Sequence, residues 1–348
     1  MFLAMEHPLG VQSDVDWSCV TGPQGPGGTV VAFTLGDGPV WRAWGSGAPG
    51  DEALDPDSAF YAGSIAKQVT AACVACLILD GHLTLSTPVR QVLPQLPTST
   101  APIEVEHLLT HTSGLPESNA LDASVGFDGR SQLGNAERLA ALSTVELEAP
   151  PGIVHRYSNY GYLLLAEVVQ AVASEPFGQF AKHRVLVPAG MRSSGFIDVE
   201  HPQPVPGWSN GTAVEIGFTT VGDGGLITTV ADLLRWNAWL PRSELASLML
   251  APRRVMGDGK HAHDAWGISI RTHHGHRIES HGGAFDGYLC SAVRFPDLGA
   301  VFVGMTNTDE LGPTGFNDRM RCLVDSVLGD HLDRHQAPWT ETHGRPVR

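Results

Sequence analysis

The chain has 348 residues, enough for one large domain or two intertwined ones. Apolar residues make up 42% of it and charged residues 17%, a balance that suits a globular protein with a large core and excludes a disordered or fibrous one. The formal charge of −15 argues against a nucleic-acid partner and predicts a solvated acidic surface.

The first residues carry no targeting or membrane signal. Met1–Met5 are followed at once by Glu6 and His7, without the basic region and apolar stretch of a secretory signal. No apolar run approaches the roughly 20 residues that cross a bilayer. We therefore expect a cytoplasmic protein with no membrane partner.

The next segments predict a hairpin and then a long helix. Thr29–Leu35 and Val40–Trp44 are short, apolar and rich in strand-forming residues, and Gly36-Asp37-Gly38 between them is a turn signal. A helix is expected from about Ser64 to Asp80, with Gly81 just past its end.

The rest of the chain is helical first and then returns to strands. Proline and glycine clusters break the helical segments of residues 82 to about 220, and strands resume from Ala265. Tyr288–Phe295 and Ala300–Thr306 flank the turn Pro296–Gly299 and predict a second hairpin. This order predicts an α/β (α+β) fold: an antiparallel sheet flanked by helices, built from both chain ends, with an inserted mainly helical region.

The same pattern suggests domain limits. We expect an α/β domain formed by residues 15–80 together with 221–330, and a mainly helical domain of residues 81–220. Residues 331–348 are polar and aperiodic, which predicts a loose C-terminal tail.

The cysteines are five in number and irregularly spaced, which is not typical of a disulfide framework. Cys73 and Cys76 form a CxxC, but they lie inside an apolar helical run. We interpret them as two small core residues rather than a redox pair.

The start of the long helix reads Ser64-Ile65-Ala66-Lys67 and is followed by an almost wholly apolar stretch. A helix that is apolar all round is buried, and a buried lysine is rare unless its charge is paired or used. Ser64 and Lys67 are three residues apart and share one face, so the amine can activate the hydroxyl. The chain holds only three lysines, and arginine cannot replace an amine as a base.

Two further segments offer polar groups of the same kind. Tyr157-Ser158-Asn159 precedes a helix of about residues 161–173; the phenol can serve as a general base, while Asn159 can orient a substrate amide or cap the helix. In His281-Gly282-Gly283 the glycines let a ligand approach the strand backbone. The amides of Ser64, at a helix start, and of Ala284 are then candidate oxyanion donors.

In this order the three segments resemble the motifs of the class C β-lactamase and D-alanyl-D-alanine carboxypeptidase superfamily, which includes esterases, D-aminopeptidases and acyltransferases. Leu108–Leu115, Gly224–Thr229 and the stretch from His281 to Asn307 also resemble it, and the likeness covers roughly residues 30 to 330.

The resemblance implies a mixed α/β domain plus a helical domain, with the active site between them. It also implies roles for single residues. Ser64 is the nucleophile, Lys67 and Tyr157 transfer protons, and the amides of Ser64 and Ala284 form the oxyanion hole. Asn159, His281 and Gly283 complete the pocket.

Two departures from the family pattern bear on the substrate. His281 stands where class C β-lactamases have lysine, which fits the peptidases and esterases better. Gly282 stands where the peptidases and β-lactamases usually offer a hydroxyl that binds a substrate carboxylate. We therefore expect a small-molecule ester, amide or peptide rather than a β-lactam or a D-Ala-D-Ala peptide.

Other interpretations remain open at this stage. Gly207–Gly211 fits the G-x-S-x-G elbow with Ser209 as nucleophile, although three prolines precede it and no helix start follows. A histidine-rich stretch could bind a metal, but no carboxylate or cysteine lies at a ligand spacing nearby, so no metal or other cofactor is expected. The histidines are His261, His263, His273, His274 and His276.

The acceptor of the acyl group is also open. Water gives a hydrolase, which we favour, and an amine or alcohol gives a transacylase of natural-product assembly. A protein that only binds a ligand is the non-enzymatic alternative. The sequence leaves the acyl group, its stereochemistry and the oligomeric state undetermined.

Overall fold

The computed structural model describes residues 15–21, 27–35, 38–127, 133–217, 219–252, 254–255, 262–329 and 332. The strands, in chain order, are β1 (Thr29–Thr34), β2 (Val40–Trp44), β3 (Ala59–Tyr61), β4 (Gly195–Phe196), β5 (Gly207–Ser209), β6 (Thr212–Val214), β7 (Leu226–Thr229), β8 (Arg254–Val255), β9 (Ala262–Ala265), β10 (Ile268–His273), β11 (His276–Phe285), β12 (Tyr288–Phe295) and β13 (Ala300–Thr306).

The α-helices are α1 (Ala66–Leu79), α2 (Val89–Val92), α3 (Val105–Leu109), α4 (Ser118–Ser124), α5 (Asn135–Leu139), α6 (Asn159–Ala173), α7 (Phe177–Ala181), α8 (Val230–Trp239), α9 (Ala246–Met249) and α10 (Gly312–Leu328). Short 3₁₀ turns occur at Trp17–Val20, Gly63–Ile65, Thr98–Thr100, Ala140–Leu142 and Leu240–Arg242, and one π turn at Lys182–Leu186.

The large sheet has the strand order β2-β1-β13-β12-β11-β10-β9-β8, and each neighbouring pair is antiparallel. Strands from the two chain ends therefore lie side by side in one sheet, where β1 pairs with β13. The predicted antiparallel sheet built from both ends is confirmed, and so are both hairpin pairings. Gly36 and Asp37 of the first predicted turn lie outside the described residues.

Two smaller sheets were not predicted. β3, β7 and β4 form one of them, and β5 and β6 form the other. Their strands have two to four residues each, too few for a period-2 pattern to appear in the sequence. The three-stranded sheet matters for function because β3 leads directly into the turn that carries Ser64.

Helix α1 matches the predicted long helix. A 3₁₀ turn over Gly63–Ile65 precedes it, it ends at Leu79, and Gly81 follows with a φ of +77°, the left-handed conformation that terminates helices. Its side chains are buried almost throughout. The prediction of a buried apolar helix is therefore confirmed, including Cys73 and Cys76, which are buried free thiols.

Two apolar cores cover the two faces of the large sheet. Cys290 and Ala292 of β12 face a core shared with α1, α6 and α8. Leu289 and Val293 of the same strand face a second core, shared with Phe316 and other residues of α10. This alternation follows from the period of two in a strand, so α1 and α10 lie on opposite faces.

The division into an α/β and a helical domain stays a prediction. The predicted tail of residues 331–348 lies outside the described residues except for Leu332. None of the helices that the structure describes has the length and apolarity needed to cross a membrane. The cytoplasmic location stays a prediction.

The cysteines require a correction. Cys19 and Cys322 form a disulfide with 5.8 Å between their Cα atoms, although 303 positions separate them in sequence. The expectation that the odd, irregular set contains no disulfide framework is therefore wrong for this pair. The bond joins the 3₁₀ turn Trp17–Val20 to α10, a long-range contact that cysteine spacing does not reveal.

Candidate active site

Ser64 lies in the tight turn between β3 and α1. Gly63 before it has a φ of +53°, which a residue with a Cβ atom adopts only under strain. A methyl group on Gly63 would also come within 2.8 Å of the amide nitrogen of Ala284. The turn is thus pressed against β11, and this contact fixes the hydroxyl of Ser64 beside the strand.

Lys67 is fully buried, and its ammonium group has three acceptors. Nζ lies 3.1 Å from Ser64 Oγ, 2.9 Å from Asn159 Oδ1 and 2.7 Å from the carbonyl oxygen of Asp223. A lysine ammonium has three N–H donors, so these contacts match its full capacity. The sequence therefore predicted correctly that this buried amine has polar partners, of which only Ser64 was evident as a neighbour.

Tyr157 approaches the same hydroxyl from the other side. Its OH donates to Ser64 Oγ at 2.8 Å, and Lys67 Nζ lies 4.9 Å from the centre of its ring. Tyr157 is 45% exposed, so the phenol stands at the boundary between the buried amine and solvent. A group in this position can exchange protons with both Ser64 and a bound molecule.

Asn159 begins α6 but does not cap it. The cap is Ser158, whose hydroxyl accepts from the amide of Gly161. The Asn159 amide oxygen is left to accept from Lys67 Nζ. Of the two roles that the sequence allowed, the capping role is therefore wrong, and Asn159 holds the amine beside Ser64.

The two predicted oxyanion donors lie across a narrow contact between β11 and the Ser64 turn. A methyl group on Gly283 would come within 2.0 Å of the carbonyl oxygen of Ala62 and 3.3 Å of the amide nitrogen of Ser64. Real Cβ atoms essentially never come that close to an oxygen, so position 283 requires glycine. The approach brings the backbone of the Ser64 turn into contact with the backbone of β11 at Gly283 and Ala284.

His281 lies at the edge of this site, with its ring centre 6.4 Å from that of Tyr157. Its Nδ1 lies 2.6 Å from the carbonyl oxygen of Gly282. Because a carbonyl only accepts, Nδ1 carries the proton and Nε2 is the acceptor of the neutral ring. Burial, and then the charge of Lys67, lowers the pKa of His281 to about 4.

A histidine pair under Tyr157 escaped the sequence analysis. The ring of His111 packs 4.5 Å from that of Tyr157, and its Nδ1 accepts from the amide of Ser158. Behind it, His155 Nε2 lies 3.1 Å from Asp264 Oδ2. Burial, with the charge of Lys67 next, holds the pKa of His111 well below its usual range. His111 is part of the segment Leu108–Leu115, which the resemblance marked without assigning it a role.

A buried ion-pair network also lies behind Lys67. Asp223 offers its carbonyl to Lys67 and its carboxylate to Arg138, which also forms several hydrogen bonds with Asp122. Tyr160 donates to Asp122 as well. This network holds the Asp223 backbone in place, and no local sequence signal marks it because its members are far apart in the chain.

A cavity of about 530 Å³ opens beside Ser64 and Tyr157. It follows the part of β11 that extends past β10, because the ladder between these strands ends at Ser269 and Ser280. From Gly282 the cavity continues between the sheet and α10. The site therefore joins the surface that carries Ser64 to the opposite face of the sheet.

The structure bears differently on the alternative nucleophile and on the alternative metal site. Ser209 ends β5 and is followed by a turn and β6, so it is not at the strand-to-helix elbow that the G-x-S-x-G interpretation requires. His273, His274 and Asp325 offer ligand atoms within 4.8 Å of one another, at the end of β11 opposite to His281. The predicted His261 lies outside the described residues.

Comparison with known proteins gives consistent relatives. The chain is 28% identical to the D-alanyl-D-alanine-carboxypeptidase/endopeptidase AmpH of Escherichia coli over 229 residues, 61% of this chain and 57% of AmpH. It thus spans little more than half of that relative. It is 27% identical to penicillin-binding protein 4 of Amycolatopsis lactamdurans over 92% of this chain and 90% of the relative.

Solved structures with a similar fold give a further comparison. The D-amino acid amidase of Ochrobactrum anthropi superposes with a TM-score of 0.75 over 87% of this chain and 94% of the amidase, at 19% identity. The family model described as Beta-lactamase matches residues 20–323. Because this match covers most of the chain, the protein belongs to the β-lactamase family.

Proposed function

We propose that the protein is a serine hydrolase that cleaves an ester or amide through an acyl-enzyme on Ser64. The observation that carries the proposal is the position of Ser64 Oγ, within 3.1 Å of Lys67 Nζ and 2.8 Å of the Tyr157 hydroxyl. We assign the backbone amides of Ser64 and Ala284 as the oxyanion site. This set supplies a nucleophile, its proton acceptors and an oxyanion site in one place.

The proposed reaction has two matched halves. In the first, Lys67 is the neutral amine, having lost one proton, and Ser64 Oγ bonds to the substrate carbonyl carbon while its own proton passes to the pair Lys67 and Tyr157. The carbonyl oxygen becomes an oxyanion between the amides of Ser64 and Ala284. As the tetrahedral intermediate collapses, the bond to the leaving group breaks and Tyr157 returns the proton to that group.

In the second half, water takes the place of the leaving group. Tyr157 accepts a proton from this water as it attacks the acyl-enzyme, and Ser64 regains its proton when the ester bond breaks. Asn159 holds Lys67 in position throughout, and neutral His281 offers Nε2 as an acceptor at the entrance.

For the substrate we propose the acyl group of a D-amino acid, bound as an amide or ester. The names of two similar proteins support this class, since AmpH is a D-alanyl-D-alanine carboxypeptidase and the structural neighbour is a D-amino acid amidase. Gly282 has no hydroxyl to bind a free carboxylate in the leaving group. We therefore favour amides and esters over carboxypeptidase substrates.

Transfer of the acyl group to an amine or alcohol is the second candidate. The cavity beside Tyr157, of about 530 Å³, has room for an acceptor larger than water. An acceptor bound there would contact the same phenol that activates water.

Intact-mass measurement after incubation with D- and L-alanine amides, their methyl esters, p-nitrophenyl butyrate and nitrocefin tests the proposal. We expect an acyl adduct, or turnover, with the D-alanine compounds and not with the Ser64→Ala protein. An adduct that persists in Ser64→Ala would assign the nucleophile elsewhere. Turnover that increases when hexylamine is added, with hexylamide as product, would identify transfer.

A further inference from the structure

The neighbouring glycines of β11 meet different surroundings. A methyl group on Gly283 would collide with the carbonyl oxygen of Ala62, but one on Gly282 would meet only the carbonyl oxygen of Cys290, at an ordinary 3.5 Å. Gly282 also lies in a regular strand and is not among the residues with positive φ. Neither packing nor backbone conformation therefore requires glycine at position 282.

The absence of a side chain at position 282 leaves open space beside the strand. Gly282 lines the cavity that begins at Ser64 and Tyr157. Any side chain there would point to the α10 face of the sheet, since the opposite face carries His281 and Gly283. The residues beside it on that face are also small: Ser280 on the same strand and Ser291 on β12.

Beyond Gly282 the cavity wall is partly apolar, and Ser269, Arg271, Asn317 and Arg321 also line the cavity. Phe316, Met320 and Val324 of α10 lie on one side, and Leu289 and Val293 of β12 lie on the other. All five are buried. The apolar part of the wall favours an alkyl or aryl group over a polar one.

The position of Tyr157 indicates which part of a substrate enters. In the proposed reaction, on which this inference rests, Tyr157 returns the proton to the leaving group, so that group lies against the phenol. Tyr157, His281 and Gly282 all line the same cavity. The leaving group therefore points past Gly282, while the acyl side chain points away from it.

We infer that the cavity under α10 is the leaving-group pocket, that it takes an apolar alkyl or aryl group, and that Gly282 is the residue that admits it. The substrates would be amides or esters in which the amine or alcohol carries a hydrocarbon chain or ring. The same pocket would hold an amine or alcohol acceptor, because acceptor and leaving group occupy one position in the two halves of the reaction.

The test varies the leaving group and the acyl group separately. One series contains methyl, butyl, hexyl and benzyl esters of D-alanine; the other contains methyl esters of D-alanine, D-norvaline and D-phenylalanine. For the wild type we expect kcat/KM to rise along the alkyl series, by up to about fourfold for each added methylene.

Three variants locate the pocket. Gly282→Thr places a branched side chain at the entrance, and Asn317→Phe fills the cavity from α10, where Asn317 is partly exposed. Both should lower kcat/KM for the hexyl and benzyl esters at least tenfold and change it less than twofold for the methyl esters. Gly38→Thr is the matched control, because Gly38 has no atom within 4 Å of its would-be Cβ and lies on a distant loop.

Equal losses for methyl and hexyl esters in Gly282→Thr, or losses that follow the acyl series, would overturn the inference. A binding measurement separates this failure from a failure of the proposed function. Calorimetry with the Ser64→Ala protein should show tighter binding of the hexyl than of the methyl ester, and addition of Gly282→Thr should abolish the difference. If no ester acylates wild-type Ser64, the proposed function fails, and this binding comparison still decides whether the pocket exists.

Discussion

The two faces of the large sheet are packed to different degrees. On the α1 face, glycines 63 and 283 bring two backbone segments into contact, and a fully buried lysine is surrounded by acceptors. On the α10 face, a strip of serine, glycine and alanine leaves a cavity of about 530 Å³ beneath the helix. One strand, β11, contributes to both faces through alternate residues.

The difference follows from what each face has to do. Activating a hydroxyl requires donors and acceptors held to within a few tenths of an ångström, which dense packing provides. Admitting a variable group requires unfilled volume, which small side chains provide at a cost in packing energy. Substitutions on the α1 face should therefore change reactivity, and substitutions on the α10 face should change selectivity.

The largest effect is expected from Lys67→Ala. Loss of the amine beside Ser64 should lower the rate of acylation by about 10⁴-fold, because no other base of the described residues is within hydrogen-bonding distance of Oγ except Tyr157. Stopped-flow acylation with a D-alanine ester measures this.

Two comparisons keep the Lys67 result interpretable. Lys182→Ala removes an exposed lysine and should leave the rate unchanged. Partial rescue of Lys67→Ala by added methylamine would distinguish a lost base from a collapsed site. A folded Lys67→Ala protein that acylates at the wild-type rate would exclude the proposed role.

A second prediction compares the two neighbouring glycines directly. Gly283→Ala forces β11 away from Ala62 and displaces the Ala284 amide, so kcat/KM should fall by about 10²–10³-fold, the typical cost of losing an oxyanion donor. Gly282→Ala should change kcat/KM for a methyl ester by less than about threefold. Similar losses in both variants would show that the two faces are not packed differently at this strand.

The sequence predicted the parts of the site that depend on side chains at short spacing. Ser64 and Lys67 are one helical turn apart, so helix geometry alone brings them together. The resemblance to a family then added Tyr157 and His281, which lie 93 and 217 positions from Ser64. No local rule would have joined these segments.

The rest of the site depends on groups without a sequence signature. Asp223 holds Lys67 through a backbone carbonyl, which every residue possesses. The cavity arises from the register of β10, β11 and β12 under α10, and the disulfide joins residues 303 positions apart. Such features depend on the tertiary arrangement, so the sequence could identify the reactive groups but not the shape that selects a substrate.

The disulfide offers a third prediction, on the α10 face. In the chain-entropy picture, a bond that closes a loop of this size stabilises the fold by up to about 5 kcal/mol. The double variant Cys19→Ser/Cys322→Ser should therefore have a melting temperature several degrees lower. Because α10 is then held less firmly, the turnover of the hexyl ester should fall by less than tenfold, while the turnover of the methyl ester stays constant. Reductant should reproduce both changes in the wild type and leave the double variant unaffected. A wild-type protein purified with free thiols at both positions would contradict this and would agree with the predicted cytoplasmic location.

The smallest effect concerns His281, which stands where the two faces meet. Its pKa in the folded protein is about 4, below the value near 6.5 of an unfolded chain, so between these pH values the unfolded state binds more protons. The free energy of unfolding should therefore decrease as pH falls from 6.5 towards 4, with a slope from this residue below about 1.4 kcal/mol per pH unit. Urea unfolding of the wild type and of His281→Asn at pH 7.5, 6.0 and 5.0 measures that slope, because His111 and the other titrating groups contribute to both proteins and cancel in the difference.

If the difference in free energy of unfolding between the two proteins stays constant over this range, His281 keeps an ordinary pKa. The ring would then be solvated, and the entrance to the leaving-group pocket would be wetter than the α1 face beside it.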